Sequence, residues 1–514
     1  MNLLLEVPNI NQIFEGYDPA ALTDILAFDK QNPLLFNTGM FLLLFTGFLL
    51  IYTAIRRWKN AKLIFVILFS LYFYYKSSAE YCFILLGVCI SDYLLGLWVG
   101  RFVRRAAGRW IVALNVVVNV GMLAYFKYFN LLYETFANFT HTTFDALDII
   151  LPAGISFFTF RSISYIVDIY RGEMKPATNF LDYTFFLTFF PPLLAGPVVR
   201  AKDMLPQIKE NPVATRAMVS EGLFLIVAGL IKKVIIADYI SGNFVDRIFE
   251  NPHLYSGFEN VMGMFGFTLQ IYCDFSGYSD MAIGIALLLG YRFADNFNSP
   301  FKSQNPTEFW RRWHISLSTW LRDYIYIPMG GNRKGKFRSH VNRFTTMVIG
   351  GLWHGASWMY LMWGALQGSL LVGHRIMRGI WRLPVRLRGN KVIKAFNVLI
   401  TFLITVLGFV LFRFAIASPH IEESFDGLQK MTNQIVNDFH PQIIPQFFEA
   451  YLLIVIAIAG GYLLHFMPHR WTKGLIRFSC ALHPLIQTIL LALFIFLIIE
   501  VRQADLVPFV YLQY

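Results

Sequence analysis

The sequence predicts an all-α polytopic membrane protein, and three observations carry that prediction. Hydrophobic residues make up 56% of the 514 residues and charged residues only 15%, against about 25% charged in an ordinary soluble protein. Mean hydropathy is +0.51. The apolar residues fall into runs of roughly twenty, the length a helix needs to cross a bilayer, separated by stretches alternately rich and poor in Lys and Arg. Charges this sparse exclude a soluble enzyme, a disordered chain and a nucleic-acid module with a basic face. The net charge of +12 therefore reads as topology, because cytoplasmic loops collect Lys and Arg. Cys82, Cys89, Cys273 and Cys480 have neither paired nor metal-like spacing and read as buried soft side chains. No metal site and no bound cofactor are expected.

Residues 1–33 carry five acids and one Lys and read as an external N-terminal segment without the basic start of a leader. The first span, 34–55, is followed by Arg56, Arg57, Lys59 and Lys62, which puts the N-terminus outside. Runs at 61–76 and 81–100 bring the chain to Arg101, Arg104, Arg105 and Arg109, on the inner side. The fourth run, 110–131, leads to an external loop at 132–148, and the fifth, 149–170, returns to Arg171 and Lys175. Segment 181–199 is apolar but interrupted by Pro191-Pro192 and Gly196-Pro197, and both flanks are basic. It should enter and leave by one face, buried in protein or lining a cavity. Spans at 219–240 and 258–290 follow, the second long enough to be tilted or broken.

Residues 300–344, which carry eight basic and two acidic side chains from Glu308 onward, read as a cytoplasmic basic amphipathic helix and loop. Segment 345–375, with a break expected at Gly350-Gly351, has basic flanks on both sides, including Arg375, Arg378, Arg382, Arg386 and Arg388. It reads as a second re-entrant or broken element. Spans at 394–416, 447–466 and 483–501 complete the chain, with an acidic external loop at 417–446. The expectation is one transmembrane domain over 34–514, with about ten spans, two re-entrant elements and both termini outside. No inverted repeat of the kind built into many transporters is visible.

Two histidines stand out. His314 lies in Trp310-Arg311-Arg312-Trp313-His314-Ile315-Ser316, after the helix start Asn305-Pro306-Thr307-Glu308. At 100° per residue, Trp310, His314, Leu317, Leu321 and Tyr324 share a stripe. The helix is too polar to span and should lie at the cytoplasmic interface, where His314 could equally be an amphipathic anchor. His354 lies in Gly350-Gly351-Leu352-Trp353-His354-Gly355-Ala356-Ser357-Trp358. An ionisable ring in an apolar segment faces a cavity or partner; the plain alternative is a neutral ring bonded to a carbonyl as packing glue. Imidazole can take and return a proton near neutrality, which is what transfer of an acyl group from a thioester to a hydroxyl needs. A basic mouth of Arg311, Arg312, Arg322, Arg333, Lys334 and Lys336 would suit an anionic donor, although positive-inside bias explains most of these charges equally well. Asp274 and Asp280 could orient an Arg or His, with interhelical pairing the plainer role. Lys232 and Lys233 read as snorkelling or paired, and Asp92 is ambiguous.

At these residues the sequence resembles the membrane-bound O-acyltransferase family, and within it the bacterial alginate O-acetyltransferase-like branch. The resemblance rests on Pro152–Phe157, Leu194–Pro197 with Arg200, Tyr272–Gly284, Trp310–Arg333 and Leu352–Trp358. It implies a funnel and tunnel through the membrane, with His354 inside it and His314 near its cytoplasmic entrance as the catalytic pair. Arg200, Arg311, Arg312, Trp313, Ser316, Trp353, Ser357 and Trp358 are the implied donor and tunnel-lining candidates, supported by Asp274 and Asp280. The donor would be a cytoplasmic acyl thioester, acetyl-CoA or the phosphopantetheine of an acyl carrier. An acetyl group would pass outward across the bacterial inner membrane to external acetyltransferase partners that modify an exported polysaccharide. Transfer of D-alanyl or another acyl group to a cell-wall polymer is the alternative within the family. From a different class, a transporter or a non-catalytic scaffold of an export complex would also explain buried charges and broken elements.

Overall fold

The computed structural model describes residues 27–29, 33–380, 389–418 and 420–501. The expectations for residues 1–26, for Arg382, Arg386 and Arg388, and for the chain beyond residue 501 lie outside them. Every regular element among the described residues is helical. In chain order they begin with α1 (Gly39–Ile55), α2 (Lys59–Ser78), α3 (Cys82–Gly100), α4 (Ala106–Leu123) and α5 (Phe129–Thr140). Next come α6 (Ile155–Arg171), α7 (Phe180–Thr188), α8 (Ala201–Glu210), α9 (Arg216–Leu230), α10 (Asp246–Glu250) and α11 (Gly257–Leu288). Short α12 (Pro306–Arg312) and α13 (Ile315–Leu321) lead to α14 (Gly335–His354), α15 (Trp358–Ile380), α16 (Lys391–Ala417) and α17 (Ile421–Asn437). The chain closes with α18 (Ile444–Ala450), α19 (Leu452–Phe466), α20 (His469–Ala481) and α21 (Pro484–Val501).

Three helical stretches among the described residues are long and apolar enough to cross a membrane: Lys59–Gly100, Ala106–Thr140 and Lys391–Ala417. The count rises to five if each bent pair near the C-terminal end, kinked by 92° and 119°, forms one span. Helices α6, α11 and α14 stand in apolar regions of the sequence but bury Arg161 and Asp168, Asp274, and His354 respectively. Packed among other helices, they can carry polar groups that a lipid-facing helix would not tolerate. On the outside, Leu43, Leu50, Phe83, Trp110, Val117, Leu407 and Leu463 are exposed, as a surface meeting acyl chains requires.

One expectation is narrowed and one is corrected. The long segment 258–290 is not broken: Ser256 opens a capping box with Glu259, and α11 runs uninterrupted for 32 residues. Nor does Gly350-Gly351 interrupt its helix. The break falls after His354, at Gly355-Ala356-Ser357, and the glycines serve packing instead. A Cβ on Gly351 would stand 2.3 Å from the Tyr360 carbonyl oxygen and 2.9 Å from Gly364 Cα, so α14 and α15 touch backbone to backbone there. Small residues permit the same approach between α9 and α11, where Gly229 faces the Gly277 carbonyl.

The proline-broken segment is held from within. After α7 the chain runs irregularly through Pro191-Pro192 and Gly196 to Arg200, leaving carbonyls that no helix can satisfy. The guanidinium of Arg161, 1% exposed, donates to the carbonyls of Phe186, Leu187 and Pro192. Irregular backbone is stable at depth only with such internal partners.

Among the described residues four stretches are wound as π-helix: Ala124–Tyr128, Ile231–Asp238, Ser241–Val245 and Arg322–Tyr326. Turns of this kind hold an extra residue and are frequent at functional sites. In the second, Lys233 pairs with Asp238 at 2.8 Å and with Asp274 of α11 at 2.6 Å, while Lys232 pairs with Asp280 at 2.6 Å. Asp274 and Asp280 therefore have the interhelical pairing role.

Candidate active site

His354 ends α14 and is 3% exposed. Its ring sits among aromatic faces: Trp353 at 5.0 Å, Trp363 of α15 at 5.2 Å and Phe412 of α16 at 5.2 Å, all edge-on. Tyr360 lies beyond at 6.4 Å. Three helices thus wall the imidazole with rings whose edges and faces fix its plane. Ser357 is also buried; its Oγ accepts from the Met359 amide at 3.2 Å and turns the chain into α15.

His314 departs from the amphipathic-stripe expectation. The helix stops at Arg312, His314 adopts a left-handed φ of 42°, and a new helix begins at Ile315. The continuous wheel that put His314 on one stripe with Trp310, Leu317 and Leu321 does not exist. Instead the kink drives the ring inward, to 0% exposure, which removes the surface-anchor reading. Its Nδ1 lies 3.2 Å from the Asn296 side-chain oxygen, its ring meets Phe275 edge-on at 4.6 Å, and its Nε2 has no hydrogen-bond partner among the described residues.

Trp353 joins the two histidines, its ring centroid 5.9 Å from His314 and 5.0 Å from His354. On its other side it packs on Phe160 at 5.5 Å, and Phe160 stacks on Trp320 at 3.6 Å. The Trp320 indole donates to the Phe160 carbonyl at 3.0 Å. Asn296 organises the His314 side. Its amide oxygen also accepts from the Ser316 hydroxyl at 2.8 Å and its amide nitrogen donates to Ser279 at 3.1 Å. Ser316 in turn accepts from the Val198 amide at 2.9 Å, which ties the kink to the proline-broken segment. Trp313 is buried beside Phe297 and Phe409 at 5.1 and 5.0 Å, walling the same region.

Arg200 sits apart from the histidines, in an ion pair with Asp323 at 2.8 Å and over the Tyr324 ring at 5.3 Å. Asp323, the acid of that pair, lines a cavity of about 550 Å³ together with Tyr324, Glu173 and the cations Arg104, Arg171, Lys202 and Arg333. Burial raises the Asp323 carboxyl, but hydrogen bonds from Arg322 and Arg200 outweigh it and hold the group below the usual carboxylate value. The basic loops expected on one side of the membrane converge here. Arg312 is occupied by Glu308 at 2.8 Å and the Asn298 carbonyl at 3.1 Å. Arg311 and Trp358 are exposed, the latter 40%, and neither joins the buried cluster.

Sequence reasoning missed Asn296, Phe412, Trp363 and Lys127. Asn296 carried no local signal. Lys127 did: a lone cation inside the run 110–131 is the kind of group that marks a functional position.

Fold and site together define an integral membrane protein whose core encloses a pair of imidazoles in an aromatic box. Residues 173–416 match the pattern of MBOAT, the membrane-bound O-acyltransferase family. The chain is 42% identical over 388 residues to the probable alginate O-acetylase AlgI of Pseudomonas aeruginosa, covering 74% of this chain and 72% of that protein. It is 36% identical over 384 residues to the peptidoglycan O-acetyltransferase of Helicobacter pylori, covering 69% and 73%. Similarity also reaches the teichoic acid D-alanyltransferase of Bacillus subtilis, at 28% over 271 residues, 50% of this chain and 68% of the relative. The chain belongs to the membrane-bound O-acyltransferase family, and it is an O-acyltransferase.

Proposed function

We propose that the protein takes an acetyl group from a cytoplasmic thioester for O-acetylation of an exported polysaccharide, with His354 as general base. The observation that carries this reading is His354 itself: an imidazole buried at a helix break, walled by rings and joined to a second buried imidazole through Trp353. The names of the relatives, alginate and peptidoglycan acetylating proteins at 36–42% identity, support acetyl over D-alanyl and a glycan as the final acceptor.

In the proposed step the acceptor hydroxyl attacks the thioester carbonyl. The new C–O bond forms as the C–S bond breaks, and His354 takes the hydroxyl proton and delivers it to the leaving thiolate. A poised base contributes about 10²–10⁴-fold to such a step. His314 sits on the donor side, held by Asn296. The cavity beside Arg200 supports entry of a phosphate-bearing donor, acetyl-CoA or a carrier's phosphopantetheine, from the face carrying the basic loops. Ten spans with two re-entrant elements, termini outside and an inner-membrane location complete the reading, with external acetyltransferase partners receiving the group.

His354→Ala is expected to abolish O-acetyl ester in the exported polysaccharide while the protein accumulates, inserted and folded, at the normal level. Undiminished acetylation in that variant would refute the role of His354. An acyl adduct found on His354 or Ser357 by mass spectrometry after incubation with donor alone would replace direct transfer by a covalent route.

A further inference from the structure

The last turn of α14 is capped from another helix. An α-helix leaves its final carbonyls without intrahelical donors, and the usual remedy is a left-handed residue just beyond the end. Gly355 does not supply it, because its backbone is extended (φ −171°). The donors come instead from the π-helical turn between α4 and α5. Lys127 Nζ donates to the carbonyls of Trp353 at 2.7 Å and His354 at 3.2 Å, and the Tyr128 hydroxyl donates to Leu352 at 2.5 Å. All three acceptors lie in the turn that carries His354. The ammonium also sits at the negative end of the α14 dipole, where a cation is favoured.

We infer that Lys127 and Tyr128 form a positioning clamp on the reaction centre, setting the direction in which His354 presents its ring. Gly355 breaks the chain immediately after His354, so no continuing helix holds that turn on its C-terminal side. The two hydrogen bonds from the Lys127 ammonium to the Trp353 and His354 carbonyls fix the peptide plane on either side of the His354 Cα, and the Tyr128 hydroxyl steadies the Leu352 carbonyl before them. The extra residue in the wide turn brings consecutive side chains, 127 and 128, to bear on consecutive carbonyls. The inference rests on the reading of His354 as the base.

The test uses the full chain in nanodiscs with a soluble glycan oligosaccharide supplying the acceptor hydroxyl, and measures thiol release from acetyl-CoA or an acetylated carrier, per folded molecule. Lys127→Met is expected to lower kcat by roughly tenfold to a hundredfold, the scale of a misplacement of about 1 Å, with KM for the donor within about twofold. Lys127→Arg, which keeps charge and donors, should recover most of the rate, and Tyr128→Phe should lose severalfold. Wild-type kcat in Lys127→Met and Tyr128→Phe, with His354→Ala inactive, overturns the clamp and leaves the base standing. An active His354→Ala overturns both. Should Lys127→Met fail to fold, Tyr128→Phe, which keeps the charge, decides: an unchanged kcat there overturns the clamp.

Discussion

Gly351→Ala adds one carbon at the closest approach of α14 to α15, and its effect can be worked from the geometry. The new Cβ would meet the Tyr360 oxygen at 2.3 Å and Gly364 Cα and N at 2.9 and 3.0 Å. All three are backbone atoms with no rotamer to move aside. Ordinary contact begins at 3.4 Å, so the hairpin must open by about 1 Å at the oxygen. Ala gains about 1 kcal/mol of helix propensity, and overpacking costs about 1–3 kcal/mol. A backbone clash puts the cost at the upper end, which leaves a net loss of about 1–2 kcal/mol. The same shift lies three residues from His354, so acetylation should fall further than stability suggests. Gly373→Ala on α15 is the control, since a Cβ there meets nothing within 4 Å, and it should be neutral or stabilising by about 0.5–1 kcal/mol. Thermal unfolding in detergent and polysaccharide O-acetyl content report the two effects. A Gly351→Ala protein as stable as Gly373→Ala, and acetylating at the wild-type level, refutes the reasoning.

Lys233→Met leaves Asp238 and Asp274 without their ammonium partner, and breaking a buried pair costs about 3–5 kcal/mol. Pairing that substitution with Asp274→Leu should recover part of the loss, read as the midpoint of unfolding in detergent; no recovery would separate the two groups. Asp323 carries an acid-side dependence. Its folded carboxyl titrates below the unfolded value of about 3.9, so its contribution is fully present above that value and is lost as pH falls through the folded pKa. Stability of Asp323→Asn should therefore converge on the wild type in strong acid and lie below it near neutrality. Equal stability of the two at pH 7 would discount the Arg200–Asp323–Arg322 cluster as a structural element.

The apolar runs made most helices legible, because a long apolar stretch buried among other helices or facing lipid must satisfy its own backbone as helix. His354 was legible for the complementary reason: an imidazole in such a run is costly enough to need a purpose. His314 was legible as a residue but not as a geometry. A helical wheel assumes unbroken φ and ψ, and no Gly or Pro in Trp310–Ser316 announces the left-handed break at His314. Asn296 and Lys127 act on groups far away in the chain, 18 and more than 200 residues distant. Such pairings are decided by packing rather than by local pattern. Glycine placement misled in one respect: Gly350-Gly351 signalled a chain break where the physical need was a close helix contact.

The wide helical turns have a consequence for how chains of this kind change length. Where such a turn interrupts an α-helix, as at 124–128, it holds one more residue than the regular helix would, the footprint of a single-residue insertion. In a regular helix such an insertion rotates everything beyond it by about 100° and unseats one flank from its neighbours. Absorbed in a bulge, it leaves both flanks seated and swings only the local side chains. In this protein two of the wide turns carry Lys127, Lys232 and Lys233 in this way, and there an apolar run trades an apolar position for a charge. Removing one residue from 124–128 should restore a regular, still hydrophobic helix that threads the membrane as before and has lost its grip on the neighbouring helix end.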